Sequence, residues 1–199
     1  MAPSASKPRL VVVEDRDVPY GDRSDDDLML LARGGVEEAF DALVRRHQGR
    51  VLQIAKKFLG SNALAEDAAQ DAFVELYRYL PRYRPDGKLR VLLYRITINR
   101  CRMSARTTRR SRLVLTEPPE RSVEAVAEDR VLRREKQREV QRAVDQLTPT
   151  LRSVVTLRYA GDMTQPEIAE ALDIPVGTVK SRLFHGMKKL RALLERGDK

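Results

Sequence analysis

A stripe of residues between Phe40 and Phe58 restricts the fold of this chain more than any other part of its sequence. The positions recur at intervals of four, three, four, three and four residues, which is the period of one face of an α-helix. No segment of any length shows the apolar–polar alternation of a β-strand. The sequence therefore predicts an all-α protein with a long buried helix, whose stripe consists of Phe40, Val44, His47, Val51, Ile54 and Phe58.

Further helix signals surround this stripe. Ser24 is an N-cap candidate followed by three acids, so a helix is expected to start there. Small and apolar residues on one side of 63–80 predict another helix, and the charged segment 81–88, which contains Pro and Gly, predicts a loop. A fourth helix is expected to follow the loop and to run past Arg106. We interpret residues 25–112 as one small helical domain.

The composition changes at residues 113–130, where two adjacent prolines and five acids interrupt the helical pattern. Such a segment predicts an acidic, flexible linker. Helical periodicity resumes afterwards, and residues 131–196 are interpreted as a second domain. Residues 1–24 contain three prolines and are interpreted as a mostly disordered leader. The predicted architecture is therefore two small helical domains joined by a flexible linker.

The second domain ends in a pattern typical of a helix-turn-helix. The spacing of Thr164 and Glu167 is that of a capping box, which predicts the start of a short helix. The turn 173–175, Asp-Ile-Pro, then leads into the last helix. Upstream, Thr148 followed by Pro predicts the start of another helix. One face of the last helix is expected to be buried through Val179, Leu183, Met187, Leu190 and Leu194.

The opposite face of the last helix carries groups suited to DNA. In a helix-turn-helix the second helix lies in the major groove, where basic side chains meet base edges and hydroxyls meet phosphates. Two alternatives remain open at this point: the charged face is merely solvated, and the aromatic Phe184 packs on the preceding helix. The candidate DNA-reading residues are Thr178, Lys180, Ser181, Arg182, Phe184, His185, Lys188 and Lys189.

The net charge of +9 favours a polyanionic partner, but the charge is divided among separate segments. Residues 100–112 contain six Arg and residues 180–191 contain five Lys or Arg, with no acid in either segment. Residues 58–77 contain four acids and no base. We therefore expect several distinct partner surfaces on one chain.

Composition also argues against several kinds of site. The single cysteine, Cys101, excludes an internal disulfide, and with two histidines beside it no metal-ligand spacing exists. No metal, cofactor or small-molecule ligand is predicted. No apolar run reaches 18 residues, so a soluble, cytoplasmic protein without membrane insertion is expected.

Two strings of the sequence resemble a known family. LTPTLRSVVTLRYAGDMTQPEIAEALDIPVGTVKSRL is similar to region 4 of the sigma-70 family of RNA polymerase sigma factors, and AEDAAQDAFVELYRYLPRYRPDGKLRVLLYRITINRCR is similar to region 2. Two such regions joined by a linker look like the extracytoplasmic function (ECF) group. The resemblance covers about residues 24–195.

The resemblance implies a non-enzymatic promoter-specificity factor. Region 4 would read the −35 element as duplex DNA, region 2 would melt and read the −10 element as a single strand, and core RNA polymerase would supply all catalysis. It also implies an anti-sigma partner that masks both domains, and a linker that threads toward the interior of polymerase.

In the family, an acidic helix of region 2 binds the clamp of polymerase, and the acid-rich helix of this chain resembles it. The alternative is that this acidic face is merely solvated. By residue-by-residue match, the polymerase-binding positions are Glu66, Asp67, Gln70 and Asp71.

The loop of the first domain matches the family's specificity loop, which holds an extruded −10 base. Tyr83 would stack on a base, Arg84 or Lys88 would meet phosphate, and Asp86 would read a base edge. The alternative is that Tyr83 is an ordinary surface residue.

After the loop, Arg95, Asn99, Arg102 and Arg106 form one stripe of the next helix at spacings of four, three and four. Asn99 matches the family's contact to the −10 strand, and Arg102 and Arg106 would neutralise phosphates. Arg95 is alternatively a partner in a structural ion pair.

Two departures from the family pattern stand out. Leu92 occupies a position where the family often has Trp. His185 and Gly186 occupy a place where a basic and a small residue are common. His185 offers less phosphate attraction than Arg, and Gly186 is expected to cost about 1 kcal/mol in a helix interior.

Two other functions compete with this interpretation. A conventional helix-turn-helix repressor or activator would bind duplex DNA tightly by itself, usually as a dimer on a palindrome. An enzyme acting on nucleic acids would use the helix acids to hold a metal, but no His or Cys supports them.

Overall fold

The computed structural model describes residues 20–112 and 128–197, with side chains over 20–108 and 135–195. These residues form eight α-helices and contain no strand, which confirms the all-α prediction. Most of the predicted leader and linker, residues 1–19 and 113–127, lies outside the described residues. The helices are α1 Asp25–Arg33, α2 Glu37–Leu59, α3 Asn62–Tyr79, α4 Leu89–Arg112, α5 Glu128–Asp145, α6 Pro149–Tyr159, α7 Gln165–Leu172 and α8 Val176–Gly197, with a 3₁₀ turn Leu80–Arg82 between α3 and α4.

Local sequence explains where the first four helices begin and end. Ser24 Oγ accepts a hydrogen bond from Asp27 N at 3.1 Å and caps α1, as predicted. Gly60 ends α2 in the left-handed conformation, with φ of 69°. Ser61 then caps α3 by accepting a hydrogen bond from Leu64 N. A glycine and a serine in sequence therefore stop one helix and start the next.

Helix α2 is the centre of the N-terminal bundle, which consists of α1–α4, and it packs on the other three helices. The predicted stripe of α2 is confirmed, because five of its six residues are buried and Val44 is partly buried. Phe58 and Phe73 are among the largest fully buried side chains. Truncating either Phe to Ala is expected to cost about 3–5 kcal/mol of stability.

The C-terminal bundle, α5–α8, is built from the helix signals noted in the sequence. Thr148 has extended backbone angles and is followed by Pro149 at the first position of α6, as predicted. Helix α5 begins at Glu128, three residues before the predicted start of the second domain. Helix α8 packs on α5, α6 and α7.

The two bundles pack directly against each other. Arg152 of α6 donates to the Phe58 carbonyl oxygen of α2 at 3.0 Å, and its guanidinium lies 5.4 Å from the centre of the Phe58 ring. Arg50 donates to the Ala160 carbonyl oxygen at 3.1 Å, and Gln141 to the Lys57 carbonyl oxygen at 3.1 Å. The sequence predicted two domains but gave no signal for these contacts.

Within the part of the chain that the structure describes, no helix has the length and apolar character needed to cross a membrane.

Candidate nucleic-acid interface

The helix-turn-helix is shaped by local hydrogen bonds. Thr164 N donates to Glu167 Oε2 at 2.7 Å, and Glu167 N donates back to Thr164 Oγ1 at 3.4 Å, which forms the predicted capping box of α7. Asp173 ends α7 in the left-handed conformation with φ of 53°, and Ile174 N donates to the Ala169 carbonyl oxygen at 3.0 Å. These bonds fix the direction in which α8 leaves the turn.

The buried face of α8 differs from the predicted one at one position. Val179 and Leu190 are buried as predicted, but Met187 is 41% exposed, so its assignment to the buried face is wrong. Gly186 occupies the buried face instead. A Cβ added at Gly186 would lie 2.9 Å from Val155 Cγ2 of α6, so the glycine permits the close approach of α6 and α8.

The polar face of α8 is accessible. Six predicted DNA-reading residues on it are exposed, and Thr178 and Arg182 are partly buried. Phe184 is 65% exposed, and its ring lies edge-on to the ring of His185 at 5.5 Å. The alternative in which Phe184 packs on the preceding helix is therefore not what the structure contains. The exposed residues are Lys180, Ser181, Phe184, His185, Lys188 and Lys189.

The loop between α3 and α4 is held differently from the prediction. Tyr83 is 3% exposed, and its hydroxyl donates to a carboxylate oxygen of Asp26 in α1. Its backbone carbonyl accepts from Arg33 Nη1 at 3.1 Å. The sequence left two roles open for Tyr83, stacking on a base or lying on the surface. The structure shows neither, because the ring is enclosed by the bundle.

The other loop residues of the −10 prediction are exposed. Arg84, Asp86 and Lys88 all face solvent. Lys88 N donates to Asp86 Oδ1 at 3.0 Å, so the Asp86 carboxylate accepts a hydrogen bond from the backbone of its own loop. Lys88 Nζ lies 2.7 Å from Glu170 Oε1 of α7, and this carboxylate raises the pKa of Lys88.

The predicted stripe of α4 is present, and one of its members meets the other bundle. Arg95, Asn99 and Arg106 are exposed, and Arg95 makes no ion pair within the described residues. Arg102 Nε donates to Ser153 Oγ of α6 at 3.2 Å. Burial, together with the nearby charges of Arg106 and Arg182, lowers the pKa of Arg102. Basic side chains predicted to serve two different DNA elements therefore influence one another here.

A second ion pair joins α4 to α7. Arg90 pairs with Glu167, the residue that also completes the capping box. Burial raises the pKa of Glu167, but the hydrogen bonds from Thr164 and the charge of Arg90 outweigh burial, so the net effect is a lowered pKa. Glu167 therefore stays ionised at neutral pH. Sequence reasoning missed Arg90, Glu167 and Glu170 as contact residues, because partners about 80 positions apart leave no local signal.

The acid-rich face of α3 is open. Glu66, Asp67 and Asp71 are exposed, and Gln70 is partly buried. One turn later, Glu75 pairs with Arg100 of α4 at 2.5 Å, so this acid is committed to the bundle. The four polymerase-binding residues of the sequence analysis thus lie on one accessible surface whose role stays a prediction.

Among the described residues, no group of three or more His, Cys, Asp or Glu side chains is placed to hold a metal ion. Cys101 is fully buried, and burial raises the pKa of its thiol to about 12.

The sequence matches two family descriptions. Residues 43–111 match "Sigma-70 region 2", and residues 137–190 match "Sigma-70, region 4". A similar protein is the RNA polymerase sigma-H factor of Pseudomonas aeruginosa, 31% identical over 189 residues that cover 86% of this chain and 94% of the relative. Another is the ECF RNA polymerase sigma-E factor of Escherichia coli K12, 30% identical over 174 residues that cover 78% of this chain and 86% of the relative.

Solved structures also resemble this one. CnrH in complex with the cytosolic domain of CnrY is 27% identical, with a TM-score of 0.66 over 86% of this chain and 97% of that one. The sigma factor RpoE in complex with the anti-sigma factor NepR from Bartonella quintana is 18% identical, with a TM-score of 0.61 over 78% of this chain and 96% of that one. The second likeness concerns the fold alone.

Proposed function

Because the chain belongs to the extracytoplasmic function (ECF) group of the sigma-70 family of RNA polymerase sigma factors, we propose that it directs core RNA polymerase to specific promoters and initiates DNA-templated transcription. The observation that carries this proposal is the pairing of two family regions in one chain, the second of which exposes a basic helix directly after a capped helix and a short turn. Residues 137–190 would read the −35 element, and residues 43–111 the −10 element.

Reading of the −35 element is assigned to α8 in the major groove. Lys180 and Arg182 lie in the first turns of α8, where a recognition helix contacts base edges. Arg is suited to the O6 and N7 acceptors of guanine. Lys188 and Lys189 lie farther along the helix and would contact phosphates, which fix the register of the helix on DNA.

Reading of the −10 element is assigned to the 83–88 loop and to α4. Asn99 offers both a donor and an acceptor to an unpaired base edge. Arg102 and Arg106 continue the same stripe and would neutralise the backbone of a single strand. Because Lys88 is paired with Glu170 of α7 in the structure, this ion pair has to open before Lys88 can contact a phosphate.

Docking on polymerase is assigned to the exposed acidic face of α3. Such a face suits a basic partner surface and would accelerate association through electrostatic attraction. The proposed residues are Glu66, Asp67, Gln70 and Asp71.

The chain itself would perform no bond chemistry, since core polymerase supplies the catalytic centre. Its place of action is the cytoplasm, where polymerase and promoter DNA meet. The family resemblance also implies an anti-sigma partner, which we include in the proposal.

Run-off transcription with purified core polymerase tests this function. Adding the protein to core and a pool of genomic fragments should produce transcripts with defined start sites, and core alone should not. Absence of any promoter-dependent transcript would refute the proposal. Tight binding of the isolated protein to a palindromic duplex as a dimer would instead support a conventional repressor or activator.

A further inference from the structure

The loop predicted to hold the −10 base is tied at both ends to one carboxylate. The Tyr83 hydroxyl donates to Asp26 at the entry to the loop, and Gly87 N donates to Asp26 Oδ2 at 2.8 Å at its exit. Between these two anchors Arg84 and Asp86 are exposed. Asp26 therefore closes the loop from outside, across more than 50 positions of sequence.

The start of α1, which carries Asp26, is joined to α2 by the residue next to it. The neighbouring carboxylate, Asp25, contacts Arg46 Nη1 at 2.7 Å and His47 Nε2 at 2.8 Å, both in α2. The third acid of this run, Asp27, accepts from the Ser24 hydroxyl at 2.7 Å. Each of the three acids thus has a separate partner, and Asp26 is the one that faces the loop.

The acceptor is also well matched to its donors. Burial, together with the hydrogen bond and charge of Asp26, raises the pKa of Tyr83 well above its ordinary value, so the phenol stays protonated and remains a donor. Gly87 has φ of 72°, a left-handed conformation that aims its N–H at Asp26 and that most other residues adopt only with strain. The geometry of the loop therefore depends on Asp26, Tyr83 and Gly87 together.

We propose that Asp26 is a positioning residue for −10 recognition, which fixes the 83–88 loop so that Arg84 and Asp86 meet an unpaired base in one defined geometry. Tyr83 then acts through its hydroxyl as part of the anchor rather than as a stacking surface. The inference rests on the proposed function, because it assigns a means of discrimination to the same site.

The physical reason is preorganisation. A loop that is fixed before binding places its polar groups without an ordering cost, whereas a released loop pays that cost and accepts more than one base. Replacing Asp26 by Ala removes both anchors at once. Replacing it by Asn retains them with altered roles, since the amide oxygen accepts from Gly87 N and the amide nitrogen donates to the Tyr83 oxygen.

The test compares four variants in run-off transcription on a set of templates that differ at each −10 position. D26A should lower the ratio of output between the preferred and the other bases about tenfold, since a well-placed contact to a base edge discriminates about 5- to 150-fold and a released loop loses part of this. D26N should retain most of the ratio, and Tyr83→Phe should lower it less than D26A. D27A is the matched control, because it removes a first-turn carboxylate of α1 that does not touch the loop.

A second readout needs no polymerase. The Gly87 amide proton should exchange with solvent faster in D26A than in D27A, measured by NMR on the full chain. An unchanged −10 ratio or an unchanged Gly87 exchange rate in D26A overturns the inference. If D26A does not fold, Tyr83→Phe carries the test, and an unaltered −10 ratio in that variant overturns the inference equally.

The two proposals fail in different ways. If the wild-type protein gives no promoter-dependent transcript, the proposed function is wrong. If the wild type transcribes normally and D26A discriminates −10 bases as well as D27A, the function stands and the positioning role is wrong.

Discussion

The predicted −35 surface on α8 is mostly exposed, whereas the predicted −10 surface on α4 and its loop meets the other bundle at two of its residues. Lys180 and Ser181 are exposed and have no carboxylate partner within the described residues. Lys88 and Arg102, in contrast, contact Glu170 and Ser153 of the C-terminal bundle. The predicted −35 surface is thus largely open, and the predicted −10 surface is contacted by the C-terminal bundle at Lys88 and Arg102.

The contact between α7 and the predicted −10 surface consists of ion pairs, the kind of interaction that would also bind a nucleic acid. Lys88, which is predicted to contact a phosphate, pairs with one carboxylate of α7, and Arg90 pairs with another. Both ion pairs are solvent-accessible, and exposed ion pairs contribute little to stability. A polyanionic strand can therefore compete with Glu167 and Glu170 for these two basic side chains.

Of the substitutions that test the difference between the two surfaces, that of Arg182 is expected to have the largest effect. Replacing Arg182 by Ala should lower −35-dependent transcription about 5- to 150-fold, because a good contact between Arg and a base contributes about 1–3 kcal/mol. Binding to core polymerase, measured by fluorescence anisotropy, should be unchanged.

Arg191→Ala is the matched control, since it removes the same charge from an exposed position of the same helix outside the predicted reading residues. Loss of polymerase binding in R182A would mean that Arg182 supports the bundle instead of reading DNA.

Removal of the α7 carboxylates from the predicted −10 surface is expected to have an intermediate effect, on the binding of single-stranded DNA. The double variant E167Q/E170Q neutralises the two α7 carboxylates that pair with Arg90 of α4 and Lys88 of the loop, while Gln at 167 can still complete the capping box. Binding of a single-stranded −10 oligonucleotide by the isolated protein should tighten about 2- to 10-fold, because Lys88 and Arg90 are then free of their carboxylate partners in a larger fraction of the molecules.

The control E135Q/E195Q removes two exposed negative charges elsewhere in the C-terminal bundle. If this control binds the oligonucleotide equally tightly, the gain in affinity comes from the change in net charge and not from the loss of the two ion pairs with α7.

Gly186 is expected to give the smallest effect and to concern stability alone. Ala at this position gains about 1 kcal/mol of helix propensity, but its Cβ would press on Val155 Cγ2, and such overpacking costs about 1–3 kcal/mol. G186A should therefore lower the midpoint of thermal unfolding by a few degrees. In the V155A background this clash is absent, so the double variant V155A/G186A should be at least as stable as V155A alone. A G186A single variant that is more stable than the wild type would contradict the close approach of α6 and α8.

Features with a local cause were predictable from sequence. The capping box of Thr164 and Glu167, the start of α6 at Pro149 and the end of α2 at Gly60 each follow from a few adjacent residues. Periodicity likewise identified the buried face of α2, because a helix that packs on three neighbours needs an apolar side.

Features that depend on tertiary contacts were not predictable. Tyr83 has the residue type and the loop position of a base-stacking group, yet Asp26 draws it into the bundle from a helix that precedes it by 57 residues. Met187 fits the apolar period of α8, but Gly186 replaces it at the interface because Val155 leaves no room for a larger side chain. The contact between the two bundles includes pairs such as Arg90 and Glu167, which only the fold brings together.

The most direct measurement crosses two variants with two series of templates in run-off transcription. Once a promoter is found, its −35 and −10 elements are altered separately, and output is recorded for the wild type, R182A and Asn99→Ala. If the two surfaces read separate elements, R182A loses its response to the −35 series alone and N99A loses its response to the −10 series alone. Loss of response to the same element in both variants, or in neither, would contradict the assignment of two separate reading surfaces.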